Sequence, residues 1–140
     1  MKRDDPKERS SSELGSGPEP WRRTLTQTVI QAYADASGDH NPVHLDPNYA
    51  RQAGLPGTIA HGMLTLGSAA AHVETWAGEG HFVEKLQCRF SAPVPAGEEV
   101  SFQGRAETGA GESLSVAIDA RLPDGEKVLT RAQVRLRRLT

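Results

Sequence analysis

The stretch TIAHGMLTLGSAAAHVETWAG, residues 58–78, has almost no polar face over its middle, and the hydrophobic period of the chain changes directly after it. Ile59, Met63, Leu64, Leu66, Ala69, Ala70, Val73 and Trp76 surround it with apolar side chains, the pattern of a helix buried on most sides. Beyond it the period becomes two. Phe82, Leu86, Cys88 and Phe90 alternate with Lys85, Gln87 and Arg89, and Val100, Phe102 and Ala106 alternate with Ser101, Gln103 and Arg105. Leu114, Val116, Ile118, Ala120 and Leu122 mark a third strand, and Val128, Ala132, Val134 and Leu136 a fourth. PAGEE, TGAGES and PDGEK lie between these strands and read as hairpin turns. A buried helix followed by half-buried strands predicts an α+β fold in which an antiparallel sheet wraps its apolar face around the helix.

Ahead of the helix the chain divides in two. Residues 1–20 are charged, rich in Ser, Gly and Pro and without a buried-face period, so they are expected to form a disordered tail, with one domain over 21–140. Residues 26–37 carry Val29, Ile30, Tyr33 and Ala34 at helical spacing, with Thr26 as N-cap and Gly38 as terminator. A second short helix is predicted after Asp46 and Pro47, closed by Gly54. A net charge of −2 gives no field that would recruit nucleic acid or an anionic membrane. His61, Thr65, Ser68, His72 and Glu74 make the long apolar stretch a poor membrane span. A single cysteine, Cys88, permits no intramolecular disulfide and suits a reducing compartment, so a soluble cytoplasmic protein is expected.

Between the first two helices stands SGDHNPVHLDP, residues 37–47. Pro42 opposes a continuous helix there and biases Asn41 toward extended geometry, so the loop can fold back and bring Asp39 toward His44. A carboxylate and an imidazole on one water can move two protons, one taken from the water and one delivered to carbon. The second element is AHGM, residues 60–63, at the start of the buried helix. Backbone N–H groups there lack intrahelical acceptors and sit at the positive end of the dipole, and Gly62 leaves room for a substrate carbonyl. A base, an acid and an oxyanion hole together suit reversible addition of water to an enoyl thioester. Within the same element His61 and Met63 are candidates for binding or orienting the substrate, His61 chiefly as a structural hydrogen-bonding residue.

The run YADASGDHNPVHLDPNYARQAGLPGTIAHGM, residues 33–63, resembles the signature of the MaoC-like (R)-specific enoyl-CoA hydratases and 3-hydroxyacyl-thioester dehydratases. GLPGTIAHGMLTLG and CRFSAPV are similar to the catalytic subunit of bacterial type II fatty-acid dehydratases. The resemblance implies a hot-dog fold, pairing into a homodimer or with another hot-dog subunit, and a catalytic dyad at Asp39 and His44. It further implies an oxyanion N–H at Gly62 and an orienting role for Asn41. Ala70 departs from the pattern, since some hydratases carry serine eight residues after the motif glycine, and Ser68 faces elsewhere on the helix.

The implied activity is hydration of a trans-2-enoyl thioester, on coenzyme A or an acyl carrier protein, or the reverse dehydration, with no metal and no cofactor. Other readings compete with it. The loop could be an Asx-turn satisfying only its own backbone, or Asp39, His40, His44 and Asp46 could hold a metal without a second ligand cluster to support it. A hot-dog thioesterase would present a carboxylate from the central helix, which here has none before Glu74. A non-catalytic partner subunit would have little use for both Asp39 and His44. Arg131, Arg135, Arg137 and Arg138 are expected on a solvated sheet face.

Overall fold

A computed structural model describes residues 15–108 and 113–139. The chain order is β1 (Trp21–Thr24), α1 (Gln27–Ser37), α2 (Pro42–Leu45), α3 (Pro47–Gln52), α4 (Gly62–Ala77), β2 (His81–Phe90), β3 (Glu99–Thr108), β4 (Ser113–Arg121) and β5 (Lys127–Arg138). The strands form one antiparallel sheet in the order β1-β3-β4-β5-β2. The expected α+β arrangement is present: Ala69, Val73 and Ala77 of α4 share one core with Val100, Phe102, Val116, Val134 and Leu136 of the sheet. Small side chains on that face of α4 let the strands come close, and β4 alternates between half-buried and buried residues up to Ala120, with Arg121 exposed. Among the described residues no helix is long and apolar enough to cross a membrane.

Three sequence expectations need correction. PAGEE is not a hairpin turn, because β2 and β3 are not neighbours. The segment after β2 instead runs past the residues before α4, with Ala60 N–H donating to Val94 C=O (2.8 Å) and Ala96 N–H to Thr58 C=O (2.9 Å). These bonds also explain why α4 starts at Gly62 rather than Thr58: Thr58 to Ala60 are engaged as extended chain, with Ile59 bridged to Pro95. The β4 to β5 hairpin over PDGEK is as read, while the tip of the β3 to β4 hairpin lies outside the described residues.

The second correction concerns β2. Its register against β5 shifts between Val83 and Lys85 and again between Gln87 and Arg89. Each shift is a bulge that reverses which residues face inward. Val83 and Leu86 therefore pair with the buried Leu136 and Val134, whereas Phe82 pairs with Arg137 on the outer face. Glu84 lies at the first bulge and binds Arg135 (3.1 Å) and Arg137 (2.6 Å), whose guanidinium holds its carboxyl below the usual carboxylate range.

The third is the boundary at residue 21. Pro18 is buried, and the carbonyl of Ser16 accepts a bond from Ala106 N–H (2.7 Å), so the packed chain extends ahead of Trp21. Close approach explains this: a Cβ on Gly104 would lie 2.9 Å from Pro18 Cγ, and one on Gly17 would lie 2.6 Å from the Gly104 carbonyl oxygen. Two glycines let an otherwise polar segment dock, a signal that composition alone does not carry. Residues 1–14 of the expected tail lie outside the described residues. Ahead of α1 the chain adds a short strand, β1, which places Arg22 beside Glu99 (3.7 Å).

Candidate active site

The loop is built from successive caps. Gly38, at φ 79°, ends α1 in the left-handed region. Asp39 then accepts a bond from Asn41 N–H (3.2 Å), and Asn41 accepts one from Val43 N–H (3.1 Å). The second bond caps α2, a single turn that begins at Pro42. Proline thus excludes a helix running through the loop but is well suited to starting a new one. These are the bonds of an Asx-turn, and they also fix the loop so that His44, the third residue of α2, points inward at 9% exposure. Asp46 repeats the device for α3, accepting from Asn48 N–H (3.0 Å) and Tyr49 N–H (3.3 Å).

His44 is held on two sides. Its Nδ1 lies 2.8 Å from the Ile59 carbonyl, an acceptor, so Nδ1 carries a hydrogen and Nε2 is the nitrogen left to exchange a proton. The backbone carbonyl of His44 accepts from Gln27 Nε2 (2.8 Å), and Gln27 Oε1 accepts from the Thr58 hydroxyl (2.7 Å). Gln27 thereby ties α1, α2 and the chain before α4 into one unit. His61 caps the far side: its Nε2–H donates to the Asp39 carbonyl (3.0 Å), and its ring stacks on His44 at 3.8 Å between centroids. Tyr33 meets the His61 ring edge-on at 4.7 Å.

One carboxylate oxygen of Asp39, one ring nitrogen of His44 and one of His61 lie within 4.8 Å of one another. Two of the four ring nitrogens are committed to carbonyls, which leaves His44 Nε2 and His61 Nδ1; the latter is buried without a partner. At the start of α4 the Leu64 and Thr65 N–H groups both turn to the His61 carbonyl, at 3.0 and 3.3 Å. Those of Gly62 and Met63 find no acceptor among the described residues.

These groups open onto a cavity of about 450 Å³ whose wall includes Asp39, His44, His61, Gly62, Met63 and Phe90. The carboxylate stands at the exposed rim and the imidazoles lie deeper. The inner wall, with Val94, Val128 and Leu129, is apolar, which suits a hydrocarbon chain. Of the sequence-predicted site residues, Asp39, His44, His61, Gly62 and Met63 meet here, while Asn41 lies outside the wall as the cap of α2. Met63, expected in a buried helix face, is 50% exposed because α4 begins at the open side of the sheet. Gly62 also differs from expectation. A Cβ there would meet the Phe90 ring at 2.7 Å, so the glycine makes room for Phe90 and not directly for a ligand. Ala70 is buried and outside the cavity wall, and Ser68 turns toward β1, where it accepts from Arg23 (3.2 Å) and donates to Leu64 C=O (2.7 Å).

The sequence model of the MaoC like domain family matches residues 10–115, more than half of the chain. Among curated proteins, 3-hydroxyacyl-thioester dehydratase Z of Mycobacterium tuberculosis is 36% identical over 86 residues, covering 55% of this chain and 54% of its own length. The chain thus spans about half the length of that relative and a smaller share of others it matches. Among solved structures, the unliganded R-hydratase PhaJ1 from Pseudomonas aeruginosa superposes with a TM-score of 0.78 at 27% identity, over 91% of this chain and 84% of that one. A chain of the ChsH1-ChsH2 complex from Mycobacterium tuberculosis superposes with a TM-score of 0.80 at 23% identity, over 88% and 97%, a likeness of fold.

Proposed function

The chain belongs to the MaoC-like domain family and has its hot-dog fold, and on that premise we propose that it is a hydro-lyase acting on acyl thioesters. It adds water to a trans-2-enoyl thioester to give the (R)-3-hydroxyacyl thioester, or runs the reverse dehydration. The observation that carries the reading is the meeting of Asp39, His44 and an unengaged Gly62 N–H on one cavity with an apolar inner wall.

In hydration the unprotonated member of the Asp39 and His44 pair takes a proton from water as its oxygen bonds to C3. Electron density moves onto the thioester oxygen, where the Gly62 N–H at the positive end of α4 stabilises it. The protonated member then delivers its proton to C2, so the pair begins and ends with one proton. His44 Nε2, with Nδ1–H fixed on Ile59, is suited to either half of the exchange. Thioester hydrolysis has less support, because Glu74, the first carboxylate of α4, is exposed and lines a groove at the other end of that helix.

The substrate is carried on coenzyme A or an acyl carrier protein, and the working unit is a dimer, either of this chain or with a second hot-dog subunit. Support for pairing lies at β2, a sheet edge, where Leu86 and Phe90 are 37% and 55% exposed, Phe90 sharing the cavity wall with the half-exposed Met63. The test is the enoyl-thioester absorbance of crotonyl-CoA, with free thiol followed in parallel. Loss of absorbance without thiol release is expected; thiol release, or no change in either, would overturn the reading.

A further inference from the structure

Thr65 has no part in the chemistry above, yet its hydroxyl, like His61 Nδ1, is a polar group at the cavity without a protein hydrogen bond. The residue is 2% exposed and lines the wall together with Gly62, His44 and Asp39. A buried helical threonine ordinarily turns its hydroxyl to a carbonyl one turn back. Ser68 does so with Leu64, and Thr75 with Ala71. Thr65 does not: among the described residues its hydroxyl has no hydrogen-bond partner, while its N–H takes the His61 carbonyl. The hydroxyl is not sealed in the core, because the residue lines the cavity, so its hydrogen bond is left for what occupies that cavity.

Its position says what that partner is. Thr65 stands three residues after Gly62, on the same face of α4 and roughly 4.5 Å further along the axis. Helical side chains lean toward the N-terminus, which carries the hydroxyl back over the first turn, where the Gly62 N–H is unengaged. Resting on the hydratase reading, we propose that Thr65 is a second donor of the oxyanion hole, its O–H joining the Gly62 N–H on the thioester oxygen of the substrate. An oxyanion hole with two donors stabilises the developing charge more than one alone. The water that attacks C3 belongs to Asp39 and His44, and His61 Nδ1 carries no hydrogen while its Nε2–H donates to the Asp39 carbonyl, so in that tautomer it cannot donate to the thioester oxygen.

The test compares Thr65→Val, which keeps the shape and removes the hydroxyl, with Thr65→Ser, which restores it. With crotonyl-CoA, Thr65→Val should lower kcat by about 10² with KM nearly unchanged, and Thr65→Ser should recover most of the loss. A second readout needs no turnover. In an Asp39→Asn background, a bound conjugated dienoyl-CoA should show an absorbance red-shift, reporting carbonyl polarisation, that Thr65→Val diminishes and Thr65→Ser keeps. Equal kcat and equal shift in all forms, a serine variant no better than valine, or an effect confined to KM would each overturn the assignment. If the unsubstituted protein fails to hydrate crotonyl-CoA, the parent reading fails, and the red-shift still decides whether Thr65 reaches the carbonyl.

Discussion

His44 and His61 lie stacked, with 3.8 Å between ring centroids and 26° between planes, yet they turn different nitrogens to the backbone. Nδ1 of His44 binds the Ile59 carbonyl, and Nε2 of His61 binds the Asp39 carbonyl. His61 therefore joins the two members of the proposed dyad, gripping the backbone of Asp39 and covering the ring of His44. His61→Phe keeps the stack and loses the grip, whereas His61→Gln keeps a donor and loses the stack. Each should lower kcat by about 10- to 10²-fold, the usual cost of a small misplacement of reacting groups. Steady-state kinetics of the two variants check this, and full activity in both would remove His61 from the site.

Removing either member of the dyad has a larger effect. Asp39→Asn and His44→Ala should each lower hydratase turnover by about 10²–10⁴ while leaving the circular dichroism spectrum unchanged. Because the two act on one proton inventory, the double variant should be scarcely worse than the poorer single one. Losses that multiply would show that they work independently.

Much of this arrangement was legible in the sequence, for physical reasons specific to each part. The buried helix and strands β3, β4 and β5 announce themselves because Val116, Ile118 and Ala120, like Val134 and Leu136, alternate at a period the pleat imposes. Asp39, His44 and Gly62 stand out because proline and glycine punctuate the chain around them. What the sequence hid depends on contacts between distant residues. The β2 bulges leave no mark in a pattern of alternating residues, so strict alternation puts Phe82 on the wrong face. Gln27 is an ordinary helix residue until its amide meets His44 and Thr58, and β1 is too short to show a period. PAGEE has the composition of a tight turn, and only the strand order reveals that its neighbours lie on opposite sides of the sheet.

Gly62 offers a steric test of the site. A Cβ at this position would sit 2.7 and 2.8 Å from Phe90 Cδ1 and Cε1, closer than such contacts occur. Phe90 is 55% exposed, so its ring can swing aside, at the cost of reshaping the cavity wall that it and Gly62 share. Gly62→Ala should therefore fold with at most about 1–2 kcal/mol lost in urea denaturation, within the usual range for a point substitution. Its hydratase activity should fall by at least about 10-fold. Phe90→Ala in the same chain removes the clash and should restore part of that activity; no restoration would mean that Gly62 is needed for a reason other than Phe90.

The edge strand allows a test of pairing. Leu86 points to the inner face beside Val134 yet remains 37% exposed, because among the described residues no strand pairs with the outer side of β2. In the proposed dimer such a residue is covered, and a charge there would be buried without a partner. Leu86→Glu should thus convert the species seen by light scattering from dimer to monomer. An unsubstituted chain that is monomeric at micromolar concentration, and gains no mass with any second subunit, would contradict the pairing.

His72 makes stability depend on pH. Its ring stacks on Trp21 at 4.0 Å, and Trp21 stacks in turn on Phe102 at 5.1 Å, so the imidazole leans on an apolar column at the sheet edge. Partial burial disfavours the charged form and holds its pKa below the ordinary histidine value. Between that lowered value and about 6.5 the unfolded chain binds a proton that the folded one refuses. The contribution to stability is therefore complete above about pH 6.5 and is lost as the pH falls through the folded value. His72→Phe retains an aromatic ring on Trp21 and cannot titrate. Urea midpoints at about pH 7.5 and about pH 5.5 should fall further in the unsubstituted protein than in the variant. The other histidines are common to both proteins and cancel in the difference. An equal drop in the two would show that His72 accepts its proton as readily in the fold as in the open chain, and burial against Trp21 would then be ruled out as the cause.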